Sequence, residues 1–171
     1  MSERNRLHQG ETSATFAYRV VEWDGIDIVR PLWEKLRAHH SPLLASFPGA
    51  MPPFHFEPRK QEILAKVAAG KVRIELVTTP ETSGIAYCIS TIATNGCGEI
   101  DSMFVEESFR GCGIGSELVR RALAWMERAG ATSKVVIVAH ANEEALAFYK
   151  RFGFQPKTIL LQQSEVETGS C

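Results

Sequence analysis

A chain of 171 residues is a one-domain length and long enough to bury a real core. Its 19 Lys and Arg against 20 Asp and Glu leave a net charge of −1, which gives no footing for non-specific nucleic-acid binding or a basic membrane patch. No apolar run approaches the roughly 20 residues of a membrane span, and the start, MSERNRLHQGETSA, is polar with no signal segment. The expectation is a cytoplasmic protein. Cys88, Cys97, Cys112 and Cys171 show no C-x-x-C spacing, so neither a zinc site nor a dithiol motif is supported. Free thiols suit a reducing compartment.

Taken in order, residues 1–14 read as disordered. Thr15 to Val21 alternates as a first strand. Asp24 or Asp27 can cap a helix with Ile28, Leu32, Trp33 and Leu36 on one face, and Pro31 fits only its first turn. Ser41 to Pro58 reads as a proline-rich loop with exposed aromatics Phe47, Phe54 and Phe56. Its length points to a functional or a disordered loop. It suits an apolar acceptor pocket or a homodimer contact equally. A second helix is predicted from Arg59 to Ala69, with Gly70 as its C-cap.

Two strands follow, Lys71 to Thr78 and Gly84 to Thr94. Asn95-Gly96 is a strong hairpin signal and pairs the second of these with Cys97 to Val105. Three antiparallel strands thus lead into a glycine-rich turn and a helix from Gly113 to Ala129, on which Ile114, Leu118, Ala122 and Trp125 make an apolar stripe beside Val119, Leu123 and Met126. KVVIVAH, Lys134 to His140, reads as an interior strand, parallel to the Glu99–Val105 strand through a right-handed crossover. Asn142 caps a helix from Glu143 to Phe152, Phe154 to Gln162 reads as a last strand, and residues 163–171 form a polar tail.

The glycine turn carries the chemistry. Closely spaced glycines at a helix N-terminus let backbone N–H groups and the helix dipole face an anion. A P-loop is excluded, because Gly115 is followed by Ser116 and Glu117 rather than by a lysine. The dinucleotide fingerprint fails on spacing, since Gly111, Gly113 and Gly115 simply alternate. What remains is Arg110-Gly111-Cys112-Gly113-Ile114-Gly115, an R-x-x-G-x-G pattern after apolar Met103-Phe104-Val105. This resembles the acetyl-CoA pyrophosphate loop of the GNAT superfamily of N-acetyltransferases. A second segment, Asn142-x-x-Ala145-x-x-Phe148-Tyr149-x-x-Phe152-Gly153-Phe154, resembles that family's N-x-x-A-x-x-[FL]-Y-x-x-x-G-F signature. The element order resembles the family across residues 15–162. Cys112 departs from it, standing where a basic residue is frequent.

The resemblance implies an α/β domain: a central, mostly antiparallel sheet with one parallel, splayed strand pair and helices on both faces. It implies acetyl-CoA as co-substrate and no metal, with the pantetheine arm along Met103, Phe104 and Val105. The pyrophosphate would rest on the amides of Arg110, Gly111, Cys112, Gly113, Ile114, Gly115 and Ser116, and Asn142 would touch the cofactor arm. Tyr149 would protonate the leaving thiolate, as a phenol of comparable basicity can. In the polyamine and thialysine branch, which shares the F-Y-K-R run of Phe148 to Arg151, a glutamate facing the substrate amine stands at the place of Asp101. Asp101 is therefore the expected base, with Glu99 on the same strand face in reserve. His39, His40 and His55 are alternative bases, and a His-His pair alone is a poor metal site. Glu57, Glu99 and Asp101 could hold a second positive charge on a diamine-like acceptor. The expected function is acetyl transfer to a primary amine of a small molecule, with a protein N-terminus or lysine as another acceptor. A catalytically idle acyl-CoA sensor is the competing reading.

Overall fold

The computed structural model describes residues 15–42, 55–67, 70–139 and 141–159. Among the described residues, five strands form one sheet in the order β1 (Ala17–Val21), β2 (Lys71–Thr78), β3 (Ala86–Ile92), β4 (Cys97–Val105) and β5 (Ser133–Val136). Each pair is antiparallel except β4 with β5. The β3–β4 hairpin closes as its Asn-Gly pair requires: Gly96 takes φ +82°, and Asn95 Oδ1 accepts from the Cys97 amide at 3.0 Å.

Helices cover both faces. On one, a 3-10 turn (Trp23–Val29), α1 (Arg30–His40) and α2 (Phe56–Lys66) bury Ile26, Leu32, Trp33, Phe56 and Ile63 against Ile74, Leu76, Tyr87, Ile89 and Phe104. On the other, α3 (Ile114–Arg128) packs Ile114, Leu118, Val119, Ala122 and Met126 against Ala86, Cys88 and Ile100. Each such large apolar side chain contributes roughly 1.5–3 kcal/mol of transfer free energy. The centre of the sheet is therefore covered on both faces, and every residue of β3 is buried. The last helix, α4 (Glu143–Lys150), brings Tyr149 into the α3-side core.

Strand β4 carries one irregularity that positions the site. Ile89 pairs with Ser102, and the next β3 residue, Ser90, pairs with Ile100. Asp101 is thus an extra residue, a β-bulge, and the side-chain alternation reverses there. Glu99 and Asp101 face α2 before the bulge, whereas beyond it Phe104 takes that face and Met103 and Val105 turn to the α3 side.

Several local expectations change. Helix α2 starts at Phe56, not Arg59, because Pro58 fits a first helical turn. Phe56 is consequently not an exposed loop aromatic. It is 2% exposed and meets the Trp33 ring at 5.3 Å. Helix α2 also ends at Lys66, so Gly70 is not its C-cap. Glycine is needed at position 70 because a Cβ would stand 2.2 Å from the Ile92 carbonyl oxygen. Neither Asp24 nor Asp27 caps α1; Asp27 pairs with Arg30 at 2.6 Å and Lys60 at 2.8 Å. β5 stops at Val136 and, among the described strands, pairs with β4 alone, with Val135 36% and Ile137 83% exposed. Residues 154–159 are not in a strand. Phe47 and Phe54, the segments 1–14 and 163–171, and the end of the expected last strand lie outside the described residues.

Candidate active site

Pairing between β4 and β5 ends at Ile100 with Val136, one residue before the bulge, yet β4 continues to Val105. The two chain segments part there and open a cleft of about 430 Å³. Its floor is β4 from Ile100 to Val105. One wall is residues 136–139 with Asn142, Ala145, Phe148 and Tyr149, the head is the glycine turn, and the C-terminal end of α1 reaches the opposite side.

At the head, Gly113 is the N-cap of α3 with φ +83°, and Gly111 has φ +81°. That region is costly for any residue with a Cβ. A Cβ at either position would meet nothing within 4 Å, so both glycines leave the approach to the backbone open. The Glu117 amide donates to the Gly113 carbonyl at 3.0 Å, starting the helical ladder. The amides of Ile114, Gly115 and Ser116 precede that start and have no intrahelical acceptor. They converge where the dipole favours an anion. Gly115 is under less constraint, since its Cβ would make an ordinary 3.5 Å contact with Phe148.

Arg110 folds back on the strand end. Its Nε donates to the Val105 carbonyl at 3.2 Å, and its guanidinium lies 5.8 Å from the Phe104 ring centre. It braces the turn. Cys112 is exposed and does not line the cleft. Asn142 caps α4, its Oδ1 accepting from the Ala145 amide at 3.0 Å.

Tyr149 is 8% exposed and sits between the rings of Phe148, at 5.1 Å, and Phe154, at 5.7 Å. Burial disfavours the phenolate and holds its pKa well above the usual phenol value, with the Cys88 thiol beside it acting in the same sense. The hydroxyl is therefore protonated at neutral pH.

The two carboxylates of β4 are differently placed. Asp101 is on the cleft lining, but its side chain is fully covered from solvent. Its Oδ1 accepts from Lys66 Nζ at 2.7 Å and lies 3.5 Å from the Arg59 guanidinium, and its Oδ2 accepts from the Thr91 hydroxyl. Arg59 also donates to the Asp101 carbonyl at 3.0 Å. Lys66 bonds Glu99 as well, and Glu99 does not line the cleft. Burial alone would lower the Lys66 pKa. The hydrogen bonds to Asp101 and Glu99 outweigh it, so the ammonium is held above its ordinary value and stays charged. Glu57 lies on the exposed surface, 3.5 Å from Arg30. His39 and His40, in the last turn of α1, both line the cleft, whereas His55 precedes α2 and does not.

The chain matches the Acetyltransferase (GNAT) family over residues 55–154, more than half its length. It belongs to that family. Over 72 residues, 42% of this chain, it is 36% identical to an uncharacterized N-acetyltransferase of Methanocaldococcus jannaschii, covering 32% of that protein. It is 38% identical over 56 residues, 33% of this chain, to the peptidyl-lysine N-acetyltransferase YjaB of Escherichia coli, covering 35% of it. The chain thus spans about a third of the length of these curated relatives. Among solved structures, the aminoglycoside N-acetyltransferase AAC(6')-Iy in complex with CoA superposes with a TM-score of 0.63 at 14% identity, over 91% of this chain and 99% of that one. At that identity the likeness shows the fold.

This GNAT chain also recruits residues that sequence reasoning missed. Leu36, Val136, Ala139, Glu144 and Arg151 line the cleft, and Arg151 lies over the Phe148 ring at 5.0 Å. Arg59, Glu62 and Lys66 recur at helical spacing, a signal that one face of α2 was reserved for charge. Among the described residues, no group of three or more His, Cys, Asp or Glu could hold a metal ion, and no helix is long and apolar enough to cross a membrane.

Proposed function

We propose that the chain is an N-acetyltransferase that moves an acetyl group from acetyl-CoA to a primary amine by direct attack within a ternary complex. One observation carries this reading: the open amides of the glycine turn and the protonated, buried Tyr149 line the same cleft. The pyrophosphate lies on the amides from Arg110 to Ser116. The pantetheine arm follows the unpaired edge of β4 at Met103, Phe104 and Val105, and Asn142 closes over it. A main-chain N–H of that edge stabilises the tetrahedral oxyanion. The amine attacks the thioester carbon, the C–S bond breaks, and Tyr149 delivers its proton to the departing thiolate.

Asp101 and Glu99 take a different part in this reading from the one their strand position suggests. Their charges are matched by Lys66 and Arg59, so they anchor α2 to β4. With Glu57 opposite Arg30 as well, none of the three carboxylates is left without a cation of its own to hold a second positive charge on the acceptor. Its selection falls to the α1 end of the cleft.

The test is Tyr149→Phe in a thiol-release assay, paired with calorimetric titration of acetyl-CoA. Loss of a general acid costs about 10²–10⁴-fold in kcat, and acetyl-CoA affinity should hold. Unchanged turnover would refute the acid assignment. Binding of acetyl-CoA by the wild-type chain with no turnover of any amine would favour the idle sensor.

A further inference from the structure

An attacking amine must shed a proton, and among the described residues the cleft offers few groups able to take it. Asp101 has both carboxylate oxygens engaged and its side chain covered. Glu99 lies outside the cleft. Tyr149 already holds its proton. Glu144 is exposed in the first turn of α4. The last turn of α1 faces the cleft from the other side with His39 and His40, whose rings are 6.0 Å apart. His39 is exposed and His40 half-buried.

We propose that His40 is the general base of this acetyltransferase, receiving the proton of the acceptor amine from the α1 side of the cleft while Tyr149 acts from the α4 side. This rests on the acetyltransferase reading above. Proton and electron bookkeeping closes without any further reactant. The amine lone pair forms the C–N bond and the C–S pair leaves with sulfur. The amine proton goes to the free imidazole nitrogen and the phenol proton to the thiolate. Imidazolium and phenolate then exchange protons with solvent.

The surroundings keep His40 ready for this role. Burial lowers its pKa from the ordinary histidine value, and His39 and Arg37 on its own helix act in the same sense. Helices α1 and α2 and strand β4 pack together. The charges brought by these neighbours, and by the 3-10 turn that also packs on α1, are paired: Asp101 and Glu99 with Lys66 and Arg59, Glu62 with Arg59, Asp27 with Arg30 and Lys60, and Glu57 with Arg30, while Asp24 is exposed. Across the cleft stand Glu144 and Arg151, of opposite sign. At neutral pH the imidazole is free to accept. A requirement for neutral His40 gives kcat/KM an acid limb with a midpoint below about 6.5.

The experiment compares wild type, His40→Ala and His40→Gln in thiol release with primary amines of graded ammonium pKa, from aliphatic amines down to hydroxylamine. With an aliphatic amine, both variants should lose about 10²-fold in kcat and keep wild-type acetyl-CoA affinity. The loss should shrink steadily as acceptor pKa falls, because the N–H proton of a weakly basic amine becomes more acidic as the C–N bond forms and leaves with less help from a base. The acid limb should vanish in His40→Gln, and added imidazole should restore part of the His40→Ala rate. A defect independent of acceptor pKa, an acid limb that survives in His40→Gln, or a larger loss in His39→Ala would overturn the assignment. Wild-type silence toward every amine would instead sink the acetyltransferase reading, and this inference with it.

Discussion

Gly113 and Gly130 stand at opposite ends of α3 with the same backbone geometry. Their φ angles are +83° and +84°, and a Cβ on either would meet no atom within 4 Å. Only Gly113 faces the cleft. Alanine at either site therefore carries the same strain, about 1–2 kcal/mol for a side chain in the left-handed region. In a chain of this size that lowers Tm by roughly 2–8 °C. The ligand separates the two. At position 113 the new methyl group stands in front of the turn and denies the pyrophosphate one charge-assisted hydrogen bond, worth about 1.5–3 kcal/mol. Acetyl-CoA affinity should fall about 10- to 150-fold in Gly113→Ala and stay at the wild-type value in Gly130→Ala. Thermal melts and calorimetric titrations of both variants provide the comparison. Equal acetyl-CoA affinity in the two, at either level, would refute the assignment of the turn as the pyrophosphate site.

Other expectations follow from the ion-pair cluster and the packing. Lys66→Met strands the covered Asp101 carboxylate with only Arg59 and Thr91. Breaking a buried pair costs about 3–5 kcal/mol, and the 32% exposure of the Lys66 side chain brings this nearer ~2–3 kcal/mol by urea unfolding. Adding Asp101→Asn should recover part of that loss, and strict additivity in the double-mutant cycle would disprove the coupling. Burial pushes the Cys88 thiol up to about 12 and holds the phenols of Tyr87 and Tyr149 above their ordinary value. A raised folded-state pKa confers stability that is complete below the unfolded value and lost as pH rises. Stability should therefore decline from about pH 9 by ~1.4 kcal/mol per pH unit, more steeply above pH 10 as the tyrosines join. In Cys88→Ala the onset should move to about pH 10, and an onset unmoved at 9 would contradict the account. Gly70→Ala drives a Cβ into the Ile92 carbonyl and should destabilise the fold by about 1–3 kcal/mol. A melt indistinguishable from wild type would show that this approach can relax.

The features legible in the sequence are those decided within a few residues. The glycine turn needs only positive φ and a helix start, and Asn95-Gly96 needs only its own dihedrals. The α3 stripe buries Ile114, Leu118, Val119, Ala122 and Met126 much as helical spacing implies. Contacts set by distant pairing were not legible. The bulge at Asp101 is a property of the β3–β4 register, and it reverses the faces of Met103 and Phe104. Strict alternation kept Glu99 and Asp101 together correctly but could not show Lys66 between them, because that depends on how α2 crosses the sheet. The run at Lys134 to His140 reads as interior because its residues are apolar. Burial of a strand depends on what lies beside it, and β5 pairs with β4 alone among the described strands. Pro58 reads locally as a breaker, yet it sits in the first turn of α2, where proline is tolerated.

On the function proposed above, the cleft between β4 and the segment after β5 performs acetyl transfer to an amine. The most direct test of this claim is thiol release from acetyl-CoA by the purified chain against polyamines, lysine analogues, aminoglycosides and short peptides. Amine-dependent release, with the acetylated product found by mass spectrometry, is the expected result and names the acceptor class. No release with any amine and no binding of acetyl-CoA by calorimetry would contradict the account at its root.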